Sequence, residues 1–197
     1  MEMLPVFSTP VWQGDYLNFQ QDRTKFLNAV QEYRDENPDG QTTHNIGGYE
    51  SPGQLHQKAD LNDLLTYICE TAAKACIDMD LIRSKIYISS TWVDYLGVNN
   101  YVEPHSSHDV FTGIVFLQVP DDSGRFCFMN ATPSNCWDGR KLLGMKSEYT
   151  ADVLKLEPTE GQIFLWPSYV PTHIEPGTNK EDLIAISFTI HLEPNPE

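Results

Sequence analysis

From Lys85 onward the sequence breaks into eight short runs rich in Val, Ile, Tyr, Phe and Trp. They cover 85–96, 101–105, 111–119, 125–129, 151–157, 162–166, 171–175 and 183–192, and Gly, Pro, Asn and Asp separate them. Runs of this length and spacing cannot be helices packed end to end. They predict a β-sandwich or barrel. The first 82 residues differ. Phe19, Phe26, Leu27, Val30 and Tyr33 recur at helical spacing across 18–35. Leu61, Leu64, Leu65, Ile68, Ala72, Ala75, Cys76 and Met79 form one apolar face across 61–80. Residues 1–16 alternate apolar and polar around two prolines, which suits an edge strand. The expected class is α+β, mainly β, as one domain over 1–197. Residues 1–82 form helical support on one sheet, and 83–197 the β core. The segment 131–149, with Pro133, Trp137, Gly139 and Gly144, reads as a long insertion between strands.

The formal net charge is −15 and the pI near 4.6, which argues against nucleic-acid and anionic-membrane partners. A small-molecule or peptide substrate is the expected partner. No apolar run is long enough to span a bilayer, and no signal peptide is visible, since Glu2 and Pro5 interrupt the start. The four cysteines, Cys69, Cys76, Cys127 and Cys136, form no CxxC pair. Cys69 and Cys76 lie about 10 Å apart along a helix, too far to bridge. Reduced thiols and a cytoplasmic location are expected.

Metal-ligand residue types gather at the mouth of one strand. His105, His108 and Asp109 directly precede the run from Phe111, and His173 follows the run ending at Trp166. Two histidines and a carboxylate on one face are the donor set of non-haem iron(II) oxygenases. His44 and His56 read as surface or hydrogen-bonded histidines. Cys127 lacks a local signature for a thiol nucleophile. GGYESPG (47–53) lacks the lysine of a phosphate-binding loop. Trp92, Tyr95, Tyr101, Phe116, Trp166 and Tyr169 are expected to line or fill the barrel.

LPVFSTPVW near the start, NIGGYES (45–51), the stretch 90–130, EGQIFLWPSYVPTHIEP (160–176) and LIAISFTIHLE (183–193) together resemble the 2-oxoglutarate/iron(II)-dependent oxygenase family of bacteria and tailed phages. The resemblance implies a double-stranded β-helix, or jelly-roll, with iron(II) and 2-oxoglutarate as co-substrate, and a dioxygenase that hydroxylates its substrate. It places His105 and His173 on the two metal histidines. Ser107 stands where the acid is usual, so Asp109, with His108 as the alternative, would complete the site. Leu183 stands where an arginine normally binds 2-oxoglutarate. Arg125 is a possible substitute, and Tyr101 a possible co-substrate contact. Two such departures also allow an inactive jelly-roll that binds a partner, or serves as a phage accessory protein.

Overall fold

The computed structural model describes residues 8–81, 84–131 and 151–194. All but the first residue of the expected insertion 131–149 lies outside these ranges. In chain order the elements begin with β1 (Trp12–Asp15), α1 (Phe19–Glu36), β2 (Asn45–Ile46), β3 (Tyr49–Glu50) and α2 (Asn62–Asp78). Then come β4 (Ser84–Leu96), β5 (Tyr101–His105), β6 (Phe111–Gln118) and β7 (Phe126–Met129). The last are β8 (Val153–Leu156), β9 (Gln162–Pro167), β10 (Thr172–Ile174) and β11 (Leu183–Pro194).

Two antiparallel sheets face each other. One has the order β1-β9-β6-β11-β4-β3, the other β2-β5-β10-β7-β8. Non-consecutive neighbours throughout are the wiring of a jelly-roll. All eight strand runs expected after Lys85 are present. β1 sits at the edge of the larger sheet, paired with β9, where proline-flanked sequence is tolerated.

β6 shows why the chain needs three layers. Phe111 through Leu117 are all buried, as in a strand covered on both faces. Phe111, Val115 and Leu117 join the core under the helices. Ile114 and Phe116 join the core between the sheets. On the helix side, Phe26, Val30 and Tyr33 of α1 and Leu64, Ile68, Ala72 and Ala75 of α2 close that core. Their three- and four-residue spacing puts each set on one helix face. The α2 stripe stops short of Met79, which is 40% exposed beyond the helix end.

The core between the sheets is aromatic. Phe126 of β7 lies 5.6 Å from Phe164 and 5.6 Å from Trp166, both of β9, and 4.9 Å from Phe128, measured between ring centroids. Trp166 and Phe116 fill the barrel as expected, but three of the six aromatic residues, Tyr95, Tyr101 and Tyr169, do not. Tyr95 packs on the helix side, beneath the Arg34 guanidinium at 4.4 Å. Tyr169 is 59% exposed. The turn after β9 points Ser168 inward, against the Thr112 hydroxyl at 2.7 Å, and so turns Tyr169 out.

Candidate active site at the mouth of the barrel

Two connected hollows open at the end of the barrel. The inner one, about 20 Å³, is bordered by Trp92, Asp94, His105, Thr112, Trp166 and Ser187 among others. It has room for about one water-sized group. The outer cleft, about 610 Å³, shares Trp92 and His105 with it. His44, Glu50, His108 and Asp109 stand on the cleft's rim.

The glycine-aromatic-serine loop builds the support for His105. Gly47 has φ +81°, a conformation that favours glycine. A Cβ on Gly48 would meet the Tyr95 carbonyl oxygen at 2.2 Å. These two glycines let the loop press against β4. The Asn45 side-chain amide then donates to the Asp94 carboxyl at 2.9 Å and to the Tyr49 carbonyl at 3.0 Å. The backbone N–H groups of His44 and Asn45 donate to the Glu50 carboxylate. Glu103 N–H reaches the His44 carbonyl at 2.9 Å and fastens β5 to the same loop.

His105 is held in one tautomer. Its Nδ1–H donates to the Glu103 carbonyl at 2.8 Å, which leaves the Nε2 lone pair for a ligand. A backbone carbonyl accepting from the nitrogen that does not bind the ion is the usual setting of a metal-bound imidazole. Burial first, then the neighbouring His44, holds the His105 pKa below its ordinary value, despite the raising effect of the Glu103 carbonyl. The neutral form required of a ligand is therefore favoured. The His44 ring stacks on His105 at 4.2 Å, 9° from parallel. His44, expected to be a surface or hydrogen-bonded histidine, is half-buried and packs against His105. Its only sequence signal is the adjacent NIGGYES loop.

Asp94 was not legible as a site residue. It is 3% exposed, and burial raises its pKa to about 7, with Glu50 adding to the rise. Hydrogen bonds from Asn45, Trp92 and Ser187 oppose that rise. A raised carboxyl pKa stabilises the fold below the ordinary carboxylate range, and the contribution is lost as pH climbs through about 7. Asp94→Asn should flatten the stability profile between about pH 5 and about pH 8, where the wild type loses on the order of a few kcal/mol. Urea denaturation at both pH values measures it.

The remaining expected site residues lie as follows. Asp109 accepts from the Ser89 hydroxyl at 2.6 Å and stands 3.4 Å from His191 Nδ1. His108 is exposed on the rim. Arg125 donates from Nε to Glu175 at 2.7 Å and borders neither mouth hollow. Tyr101 pairs with Ile46 at the start of β5 and also borders neither. Leu183 is 1% exposed in the core between the sheets.

His173 is placed by strand parity. On β10, Thr172 pairs with His105 and with the inward Phe128, and Ile174 pairs with the inward Phe126. His173 between them pairs with Cys127. Alternate residues of a strand face opposite sides, so His173 shares the outer face of the smaller sheet with Cys127. One ring nitrogen of His173 lies within 4.8 Å of donor atoms of Cys127 and Glu175. His173 is also among the residues that border the inner hollow. Among the described residues, His105, Asp109 and His173 do not together form a donor group gathered within that distance. A one-residue slip of β10 would bring His173 inward but would turn Ile174 out of the core. As they stand, these three residues do not fit a facial iron site.

A family model described as "Putative 2OG-Fe(II) oxygenase" matches residues 90–189. No curated protein matches the chain. Among solved structures, a Pseudomonas putida prolyl-4-hydroxylase is similar at 14% identity, TM-score 0.63, covering 93% of each chain. The non-haem α-ketoglutarate-dependent carbocyclase SnoK from nogalamycin biosynthesis is similar at 12% identity, TM-score 0.68, covering 95% of this chain and 83% of that one. HygX from Streptomyces hygroscopicus, solved with nickel, 2-oxoglutarate and hygromycin B bound, is similar at 10% identity, TM-score 0.63, over 93% and 83%. At these identities the structural likeness shows the jelly-roll fold alone. No helix among the described residues is long and apolar enough to cross a membrane. The family match spans half the chain, including every strand from the end of β4 to most of β11, and the chain belongs to this 2OG-Fe(II) oxygenase family.

Proposed function

We propose that the chain is an iron(II)- and 2-oxoglutarate-dependent dioxygenase that hydroxylates a small-molecule or peptide substrate at the barrel mouth. His105 would be the metal's anchor and Asp109, on the rim of the same cleft, its carboxylate donor. The observation that carries this reading is the His105 ring, whose Nδ1 is held on the Glu103 carbonyl while the residue borders both hollows. Membership of the family supports iron(II) and 2-oxoglutarate as the cofactors of this reading. Because His173 does not join His105, no chemical step is drawn through the metal. The chain's own contribution is binding and exclusion of water. Trp92, Thr112, Ile114 and Trp166 wall the inner hollow, and Asp94, Thr172 and Ser187 supply its polar atoms. The outer cleft has the volume for a substrate.

A second reading is a jelly-roll that binds a ligand without oxidising it. Three observations favour it: Thr172 rather than a histidine beside His105, Leu183 buried where an arginine is expected, and Arg125 tied to Glu175. Anaerobic addition of iron(II) and 2-oxoglutarate separates the two. The dioxygenase gives a visible metal-to-co-substrate charge-transfer band, and admitting oxygen then yields succinate. No band and no succinate support the second reading.

A further inference from the structure

On the outer face of the smaller sheet, Cys127 of β7 and His173 of β10 are direct cross-strand partners, and Glu175 follows two residues on. One donor atom from each lies within 4.8 Å of the other two. A thiol, an imidazole and a carboxylate so placed admit two chemistries. The first is a nucleophilic thiol, and it fails. Burial, then the nearby Glu175 carboxylate, pushes the Cys127 thiol up to about 11, although Lys155 and Arg125 oppose the shift. The thiolate is scarce at neutral pH without a partner that displaces the proton. The second chemistry is metal ligation, in which the ion itself displaces that proton.

We propose that Cys127, His173 and Glu175 form a site for a divalent, thiolate-accepting cation of the zinc type, separate from the barrel mouth. His173 Nδ1 is buried with no hydrogen-bond partner. A buried imidazole nitrogen left unpaired is unfavourable, and a metal satisfies it. Donors around a tetrahedral zinc sit roughly 3.3–3.8 Å apart, given bonds of about 2.0–2.3 Å. The present spacing therefore closes onto an ion by side-chain adjustment alone. Glu175 now accepts from Arg125 and Lys155. Those side chains are 49% and 43% exposed, so both can swing aside and leave the carboxylate to the ion. Three protein donors leave the fourth position open to water. The site would clip β7 to β10, the strands that present Phe126 and Thr172 to the inner hollow from their opposite face. This proposal does not rest on the oxygenase reading.

Cobalt(II) reports it without activity. Titrated into the reduced full-length protein under anaerobic conditions, with no 2-oxoglutarate, cobalt(II) should give a near-ultraviolet sulfur-to-metal charge-transfer band saturating at one equivalent. Cys127→Ala should remove the band. Glu175→Gln, at a partly exposed position that leaves the core untouched, should weaken binding by about tenfold or more. His105→Ala should leave the band in place, which keeps this test apart from that of the mouth. Absence of the band in the wild type overturns the proposal, as does its persistence in Cys127→Ala, which would assign it to another thiol. Should Cys127→Ala fail to fold, an unchanged affinity in Glu175→Gln overturns it equally.

Discussion

Phe126→Ala should destabilise the protein by about 3–5 kcal/mol, the range for removing a large buried aromatic side chain. Phe126 is 2% exposed and sits among Phe116, Phe128, Phe164 and Trp166, with centroid distances of 4.9–5.8 Å. It couples β7 of the smaller sheet to β6 and β9 of the larger one. Its loss leaves a cavity at the centre of the barrel that neither sheet can fill without sliding on the other. Edge-to-face contacts are lost as well, each worth roughly 0.5–1.5 kcal/mol beyond burial. The same residue borders the inner hollow, so the truncation also opens the floor of the site. Chemical denaturation gives the stability change. A loss under about 1 kcal/mol would mean that this cluster does not hold the sheets together.

The second large effect is a gain. Thr172 is the Cα partner of His105 across the β5–β10 pair, and it is 5% exposed on the inward side. Thr172→His places a second imidazole where strand parity denies His173 a position. Iron(II) affinity at the mouth should rise by at least about tenfold, the scale on which a metal site responds to one added supporting group. The larger side chain would offset this in part with about 1–3 kcal/mol of stability, the usual penalty of overpacking. Calorimetric titration of iron(II) into the variant and the wild type measures the affinity. Equal affinities would show that position 172 does not face the metal.

The fold was legible because its signals are periodic. Eight strand runs separated by turn residues, and two amphipathic stripes ahead of them, needed no tertiary information. The buried run of β6 still hid its dual role, because a strand covered on both faces carries no alternation to read. The site was legible only in part. His105 stood out as a histidine at a strand end in a family-like segment. His173 stood out for the same reason. Its facing depends on pairing register, and a shift of one residue reverses it. The support around His105 came from residues of unremarkable type. Asp94 reads as one polar position in a strand, and His44 as a loop histidine. The pairing of Glu50 with Asp94 across β3 and β4, the Asn45–Asp94 hydrogen bond and the Glu103–His44 backbone bond bring the loop, the buried carboxyl and His105 together. Arg125 illustrates the converse. Its charge suited a co-substrate anchor, but Glu175, whose pKa Lys155 and Arg125 both lower, holds it on the outer face.

In the proposed function the metal and its co-substrate gather at His105, on the inner side of the smaller sheet, while His173 serves the other side. Anaerobic titration with iron(II) and 2-oxoglutarate, followed in the visible range, tests it on three proteins. The wild type and His173→Ala should both develop the co-substrate charge-transfer band, and His105→Ala should not. A band lost in His173→Ala and kept in His105→Ala would contradict the account.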